Sequence, residues 1–455
     1  MFNLAEPIYG AVPNHWQLLR LGELVKNGQA DLQTGPFGTM LHASAYKPVG
    51  TPVVAVKHID DNRLLHEADI PRVDEETHQK LSRYELRTGD ILFGRKGAVE
   101  RRALVTMKED GWLQGSDCIR LRLLDSEIDP VYISYVLGST AYRNWIVRHA
   151  QGATMPSLNQ QILSLIPLPL PPADEQKAIA HILGTLDDKI ELNQQMNQTL
   201  EAIARALFKS WFIDFDPVRA KMDGRQPVNM NAETAALFPD EFEDSPLGKI
   251  PKGWEVKQLQ EISNNESESF DFASHPNVIF LNTGDVAWGQ FLHANYSSKD
   301  GLPGQAKKAI RKDDILISEI RPANGRYAFV DFLPTEYVVS TKFMVVRASD
   351  KIHPRLLYRI LTRSETLAEL QVIADSRSGT FPQITFTSIG HLAFILPPTS
   401  IQSAYQSFVE PLDRKAKVHS LETHNLSSIR DALLPKLLSG EIRVKDAEKI
   451  VEAVV

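Results

Sequence analysis

The chain has 455 residues, of which 43% are hydrophobic and 24% charged, with 25 Gly and 27 Pro. This is globular composition at a length suited to two or three domains, and it excludes a small stapled scaffold, a collagen-like chain and a disordered one. The single cysteine, Cys118, removes disulfide frameworks and cysteine-based zinc clusters, while a net charge of −7 argues against a nonspecific polyanion binder.

In chain order, residues 1–172 carry short β-rich runs bounded by Gly, Asp and Pro, among them PVVAVKHI, DILFGRK, RALVTM and CIRLRLL, followed by the helical run VYISYVLGSTAYRNWIVRHA. Pro171-Pro172 closes this region, and Asp174 and Glu175 open a long helical pattern over 173–213. An acidic stretch, 214–250, reads as a linker: Ile213–Asp244 holds three basic residues against eight acidic. A second mixed region, 251–398, contains VIFLNTG, DILISEI, YAFVDF and KFMVVRA. A second long helix over 399–440 and a tail, 441–455, complete the chain. Two segments are locally basic, Leu81–Arg122 with nine basic and six acidic residues and Gly301–Arg326 with six and three. No apolar run reaches the roughly 18 residues of a membrane span, and the first twenty residues lack a signal-peptide pattern, so a cytoplasmic protein is expected.

The chain repeats itself at an offset of 226 residues without a gap. The stretch beginning at Thr154 matches that beginning at Thr380, through Pro156/Pro382, Leu170/Leu396, Pro171/Pro397, Pro172/Pro398, Gln176/Gln402, Leu186/Leu412, Asp187/Asp413, Leu200/Leu426 and Leu207/Leu433. Upstream, Pro13 and Trp16 answer Pro251 and Trp254, and Gly89-Asp90-Ile91-Leu92 answers Asp313-Asp314-Ile315-Leu316. The framework is shared while the middles differ, as expected if each middle reads something different.

A heptad register runs through both helices. Positions d are Ile179, Leu186, Asn193, Leu200 and Leu207, and positions a are Leu183, Ile190, Asn197, Ala204 and Trp211. In the second helix, d falls on Tyr405, Leu412, His419, Leu426 and Leu433, and a on Val409, Ala416, Thr423, Arg430 and Leu437. The seams are apolar towards their ends and polar in the middle, where polar residues fix register. Pro411 and Pro435 are expected to kink or restart the second helix. Two equivalent units would pair these helices antiparallel, each about 60 Å long at 1.5 Å per residue. Two similar heads at a fixed spacing suit duplex DNA, whose half-sites lie roughly 34 Å apart per turn. The fold class is therefore α+β, with two repeat-related domains separated by an antiparallel coiled coil.

The runs LPLPPADEQKAIAHILGTLDDKIELN and LEAIARALFKSWFIDFDPVRAK, with TGPFG, GDILFGRKGA and SPLGKIPKGWEVKQL, resemble the specificity subunit of Type I restriction-modification enzymes across essentially the whole chain. That resemblance implies two target-recognition domains, each reading one half of a bipartite site on double-stranded DNA. The helices would act as spacer and dock two modification (methyltransferase) subunits, which bind the methyl donor. Restriction subunits that translocate DNA with ATP would join the assembly. The chain itself is expected to be noncatalytic, without cofactor or metal. It has no G-x-x-x-x-G-K-[ST] phosphate loop, no Asn-Pro-Pro or Asp-Pro-Pro aromatic motif, no G-x-G-x-x-G turn and no H-E-x-x-H pair.

Base reading needs forked donors and amides, with cations for phosphates. The candidates are Arg95, Lys96, Arg101 and Arg102 in and after the Gly-flanked loop that follows DILF, and Arg321, Asn324 and Arg326 in the matching loop after DILISEI. Lys57, His58, Gln151, Thr154, Lys342 and Gln383 complete the set. Leu207, Phe208, Trp211 and Phe212, at the first helix end, are candidate contacts for a modification subunit. Two other classes compete: an internally duplicated protein-protein adaptor, and a stand-alone nuclease or methyltransferase with an unrecognised active site.

Overall fold

A computed structural model describes residues 8, 12–37, 40–67, 69–152, 155–377 and 382–455. The chain divides into two compact units, Met1–Met196 with Val418–Val455, and Asn197–Lys417, so each unit owns one end of both long helices.

In the first unit the central sheet runs in the order Ala30–Thr34, Cys118–Leu123, Ile91–Gly94, Arg102–Leu104 and Asp61–Asn62. Ile91–Gly94 is buried along its whole length, as its continuous apolar sequence requires of a strand covered on both faces. Asp90 lies buried at its entrance. Its carboxylate accepts the Arg87 backbone N–H at 2.8 Å and a bidentate pair from Arg122, 2.7 Å each from Nε and Nη2. A smaller sheet holds Tyr46–Lys47, Arg72–Val73, Thr51–Val54 and Leu113–Gln114, with the last two parallel. Gln17–Arg20 pairs antiparallel with Pro167–Leu170, tying the start of the unit to the strand that precedes the long helix.

The second unit repeats each of these parts. Its central sheet is Ser263–Glu266, Phe343–Ala348, Ile315–Ser318 and Tyr327–Phe329. Asp314, fully buried, accepts from the Arg311 N–H at 2.7 Å and from Arg347 Nε and Nη2 at 2.7 and 2.9 Å. The second sheet, Tyr296–Ser298, Asn277–Leu281, Tyr337–Ser340 and Ala306–Ala309, again holds one parallel pair. Glu255–Gln258 pairs antiparallel with Ala393–Leu396.

The long helices are Ala173–Phe212 and Thr399–Leu438. Each start is clamped by the same glutamine. Gln176 donates to the Pro171 carbonyl at 2.8 Å while its side-chain oxygen takes the Asp129 N–H at 3.0 Å; Gln402 does so with Pro397 at 2.9 Å and His353 at 2.8 Å. The seam follows the heptad register: Ile179, Leu183, Leu186 and Ile190 are buried in the first unit with Leu426, Leu433 and Leu437, and Ala204 and Trp211 in the second with Tyr405 and Val409. The pairing is antiparallel. Asp187 meets Arg430 at 2.7 Å and Asn193 meets Glu422 at 2.9 Å in the first unit; Asn197 Nδ2 meets the Ala416 carbonyl at 3.1 Å in the second. The second helix runs unbroken through Pro411 and Pro435, so the expected kink is not a break: a single missing N–H is outweighed by packing on both sides.

Two segments differ from their sequence reading. The acidic stretch 214–250 is folded rather than a bare linker, because Phe215, Val218, Phe238 and Ile250 are buried in the core of the second unit. It includes the helix Asp216–Met222 and the hairpin Phe242–Ser245 with Gly248–Pro251. The tail contains the helix Val444–Glu452, whose Ala447 and Val451 are buried in the core of the first unit. In both, negative charge or terminal position concealed an apolar stripe at helical spacing.

Candidate nucleic-acid interface

The loop after the Ile91–Gly94 strand is built by the backbone. Arg95 donates its N–H to the Asp117 carbonyl at 2.7 Å, and its carbonyl accepts the Leu158 N–H at 2.8 Å; Gly97 donates to the Pro156 carbonyl at 2.9 Å. In the second unit Glu319 donates to the Lys342 carbonyl at 2.9 Å and accepts from the Ile384 N–H at 2.8 Å, and Arg321 donates to the Pro382 carbonyl at 3.1 Å. The bridges Lys96↔Ser157 and Ile320↔Gln383 are likewise equivalent. These bonds fix the correspondence: Arg321 stands where the first unit has Gly97. Both take the left-handed conformation, at φ 76° for Gly97 and 46° for Arg321. An arginine held there costs about 1–3 kcal/mol that the surrounding bonds must cover, a pattern concentrated at functional loops.

Arg321 and Asn324 are exposed, as are Lys96 and Arg101, and Arg95 is half-buried. Arg101 and Arg326 are themselves equivalent, for each guanidinium reaches back to the neighbouring turn: Arg101 Nη1 to the Ile59 carbonyl at 3.5 Å, Arg326 Nη1 to Gly284 and Val286 at 3.1 and 3.2 Å. Both have an anchoring bond besides any ligand contact. Lys342 and Gln383 are half-buried beside the second loop, and Gln151 lies exposed near the first, its N–H bonded to the Ser157 carbonyl at 3.0 Å. Lys57 is exposed but paired with Asp69. Thr154 lies outside the described residues.

Arg102 is a correction. It is 4% exposed, and its Nε donates to the Ser134 carbonyl at 2.6 Å, so it belongs to the interior of the first unit. Strand alternation sends one member of the Arg101-Arg102 pair out and the other in. The apolar cluster at the helix end is a second correction. Phe208, Trp211 and Phe212 are buried in the core of the second unit, with Trp211 5.0 Å from Phe238 and Phe212 4.9 Å from Tyr405 between ring centres, and Leu207 packs partly buried against them. Phe208, Trp211 and Phe212 therefore present no free face for a partner.

His58, Glu67 and Asp69 bring potential ligand atoms within 4.8 Å of one another. The imidazole is ill-suited to a metal, however. Its Nδ1 accepts the Ala55 N–H at 3.1 Å, which leaves the proton on Nε2, a buried nitrogen with no hydrogen-bond partner among the described residues. Burial, then Lys57, pushes the His58 pKa down and keeps the ring neutral.

The turn at Trp288 escaped the sequence reading. Trp288 is 63% exposed with φ 49°, at the tip of the hairpin Val286–Ala287 and Gln290–Phe291, and its N–H donates to the Gly325 carbonyl at 2.7 Å. The Trp-Gly dipeptide between two short β runs was the available signal.

The match to the family of the Type I restriction modification DNA specificity domain covers residues 13–202 and 251–426. The HindI specificity subunit of Haemophilus influenzae is 48% identical over 181 residues, which is 40% of this chain and 39% of that protein. The MjaIX specificity subunit of Methanocaldococcus jannaschii is 28% identical over 69% of each chain, and the putative MjaX subunit of the same organism 22% over 97% of each. The fold is that of the S subunit of a Type I restriction-modification system from M. genitalium, with a TM-score of 0.58 at 17% identity over 95% of this chain and 98% of the other. Two matched domains on two repeat-related units, the match to each running into one of the two long helices, make this chain a member of the family of Type I restriction-modification specificity subunits.

Proposed function

We propose that each unit reads one half of a bipartite sequence in double-stranded DNA, that the paired helices set the gap between the halves, and that the chain docks two modification subunits that carry out methyl transfer. The chain is noncatalytic in this reading, and restriction subunits join through the same assembly. The observation that carries it is the pair of equivalent loops, 95–101 and 319–326: identical backbone bonds hold them, while their side chains differ. A shared scaffold with exchanged contents is what two readers of unlike half-sites need. The adaptor alternative gives no reason for forked cations at both equivalent turns.

Mapping methylated positions genome-wide in cells with and without this gene tests the reading. Loss of methylation at one bipartite motif is the expected result; an unchanged methylome overturns it. The ruler is tested separately. Four residues inserted near Asn193 add about one turn, roughly 6 Å, and should lengthen the accepted gap by about two base pairs with both half-sites unchanged.

A further inference from the structure

The turn of the second unit that carries Trp288 occupies a ladder position also present in the first. Gly289 bridges Ala328 in parallel as Asn62 pairs with Ala103, and Val286 pairs with Phe291 as Ile59 bridges Leu64. By this register Trp288 stands where the first unit has Asp61. The tip is thus another place where one framework carries different contents, and it abuts the loop of Arg321 and Asn324.

Three features set this tryptophan apart. It is bulky yet sits at positive φ, where such a side chain is a genuine outlier, followed by Gly289 at φ 86°. It is also 63% exposed, although an indole gains a large burial energy when it finds a core. Finally, its orientation is fixed. A Cβ on Gly325 would lie 2.5, 2.5 and 2.8 Å from ring atoms Cδ2, Cε2 and Cε3, so the ring lies flat on that glycine, and Tyr327 meets it edge-to-face at 6.0 Å. Gly325, itself at φ 65°, leaves room for the ring that any side chain would take.

We infer that Trp288 is a specificity-determining residue of the second unit, reading the 5-methyl group of a thymine in the major groove beside the bases met by Arg321 and Asn324. The inference rests on the DNA-reading function proposed above. One ring face is seated on Gly325, so the ring does not slide between stacked bases, and its free edge meets a groove edge-on. The thymine methyl is the apolar group that projects from a base edge into the major groove, and the minor groove offers no such group. The neighbouring guanidinium and amide supply the forks that read purines in the same groove. The strained, glycine-seated backbone holds the ring where it stands before DNA arrives, so little side-chain freedom is lost on binding.

The test uses the chain assembled with its modification subunit and a randomised bipartite duplex library. Trp288→Ala should lower the preference for thymine at one position of the second unit's half-site by roughly tenfold, leaving the first half-site unchanged, and Trp288→Phe should keep most of it. The wild-type complex gives a second readout that needs no folded variant: replacing that thymine by uracil removes only the methyl and should cost a similar factor. A half-site without an A·T pair, equal weakening on all sequences, or indifference to uracil overturns the inference while the two-unit reading stands. Failure of the wild-type complex to select any bipartite sequence overturns both.

Discussion

In the first unit Trp16 donates its indole N–H to Glu175 at 3.2 Å, whereas in the second the equivalent Trp254 is buried with no hydrogen-bond partner for its Nε1 among the described residues. The difference has one cause. Ile401 occupies the place of Glu175, 226 residues on, and its side chain is buried in the core of the second unit. Other framework bonds came through the duplication intact: Asp90 with Arg122 and Asp314 with Arg347, Gln176 with Pro171 and Gln402 with Pro397. These bonds satisfy groups that burial would otherwise strand. A lost partner at the domain edge left one orphaned donor, which costs about 1–3 kcal/mol, and a larger apolar contact stands in its place.

The helix contacts diverge further, and they offer the strongest way to break the equivalence. Asp187 of the first helix is held by Tyr135 at 2.6 Å and Arg430 at 2.7 Å. Its repeat, Asp413, is held by Arg359 at 2.8 Å and Arg355 at 3.4 Å, and Arg359 also reaches Glu201 at 3.3 Å. Tyr135 and Arg359 hold equivalent places on the helices Pro130–Gly138 and Pro354–Thr362. Burial raises the Asp413 pKa, although Arg359 and Arg355 pull it down. Desolvation thus offsets part of what the ion pairs contribute. Arg359→Leu leaves that buried carboxylate to Arg355 alone and should destabilise the second unit by about 3–5 kcal/mol; Asp413→Asn added to it should restore a good part. Denaturation followed by the two units' separate tryptophans measures both. Equal loss in the single and double variants would mean that Arg359 acts through packing alone.

A smaller effect sharpens the contrast between loops. Arg95→Ala should relax one position of the first half-site and Arg321→Ala one position of the second, each by about 1–3 kcal/mol if the guanidinium forks onto a guanine edge. Uniform weakening with a shallower salt dependence would place either arginine on phosphate instead. Specificity profiles on a bipartite library, taken at two salt concentrations, separate these outcomes. A change in both half-sites from one substitution would remove the assignment of the loops to separate readers.

What could be read from sequence follows what repeats. The 226-residue offset, the Pro-Pro helix starts and the heptads are one-dimensional signals, and the helices follow them. Burial of neighbouring side chains is not such a signal. Arg101 and Arg102 look alike in sequence, yet the strand Arg102–Leu104 turns the second inward to Ser134. Phe208, Trp211 and Phe212 look like an apolar surface until the 214–250 segment, whose acidic composition reads as a linker, supplies Phe215 and Phe238 to cover them. The Trp288 tip has no identity with Asp61-Asn62 to mark it, because what the two turns share is a backbone ladder.

The smallest expected effect tests the first unit's version of the helix contact through its pH dependence. Tyr135→Phe removes the hydroxyl that donates to Asp187 while Arg430 keeps the other carboxylate oxygen, so the loss should be about 1 kcal/mol near neutral pH. Burial first, and then the Asp187 charge, raises the Tyr135 pKa above its ordinary 10.0. The unfolded chain therefore releases this proton on passing pH 10 while the folded chain retains it. The stability that Tyr135 contributes is complete below pH 10 and falls as the pH rises above it. The phenyl ring of the variant has no proton to lose, so the gap between wild type and Tyr135→Phe should be constant from pH 6 to about 9 and should narrow at higher pH. Urea unfolding at a series of pH values measures the gap; a gap that widened above pH 10 would mean that the folded protein ionises Tyr135 more readily than the unfolded chain, contrary to its buried place against Asp187.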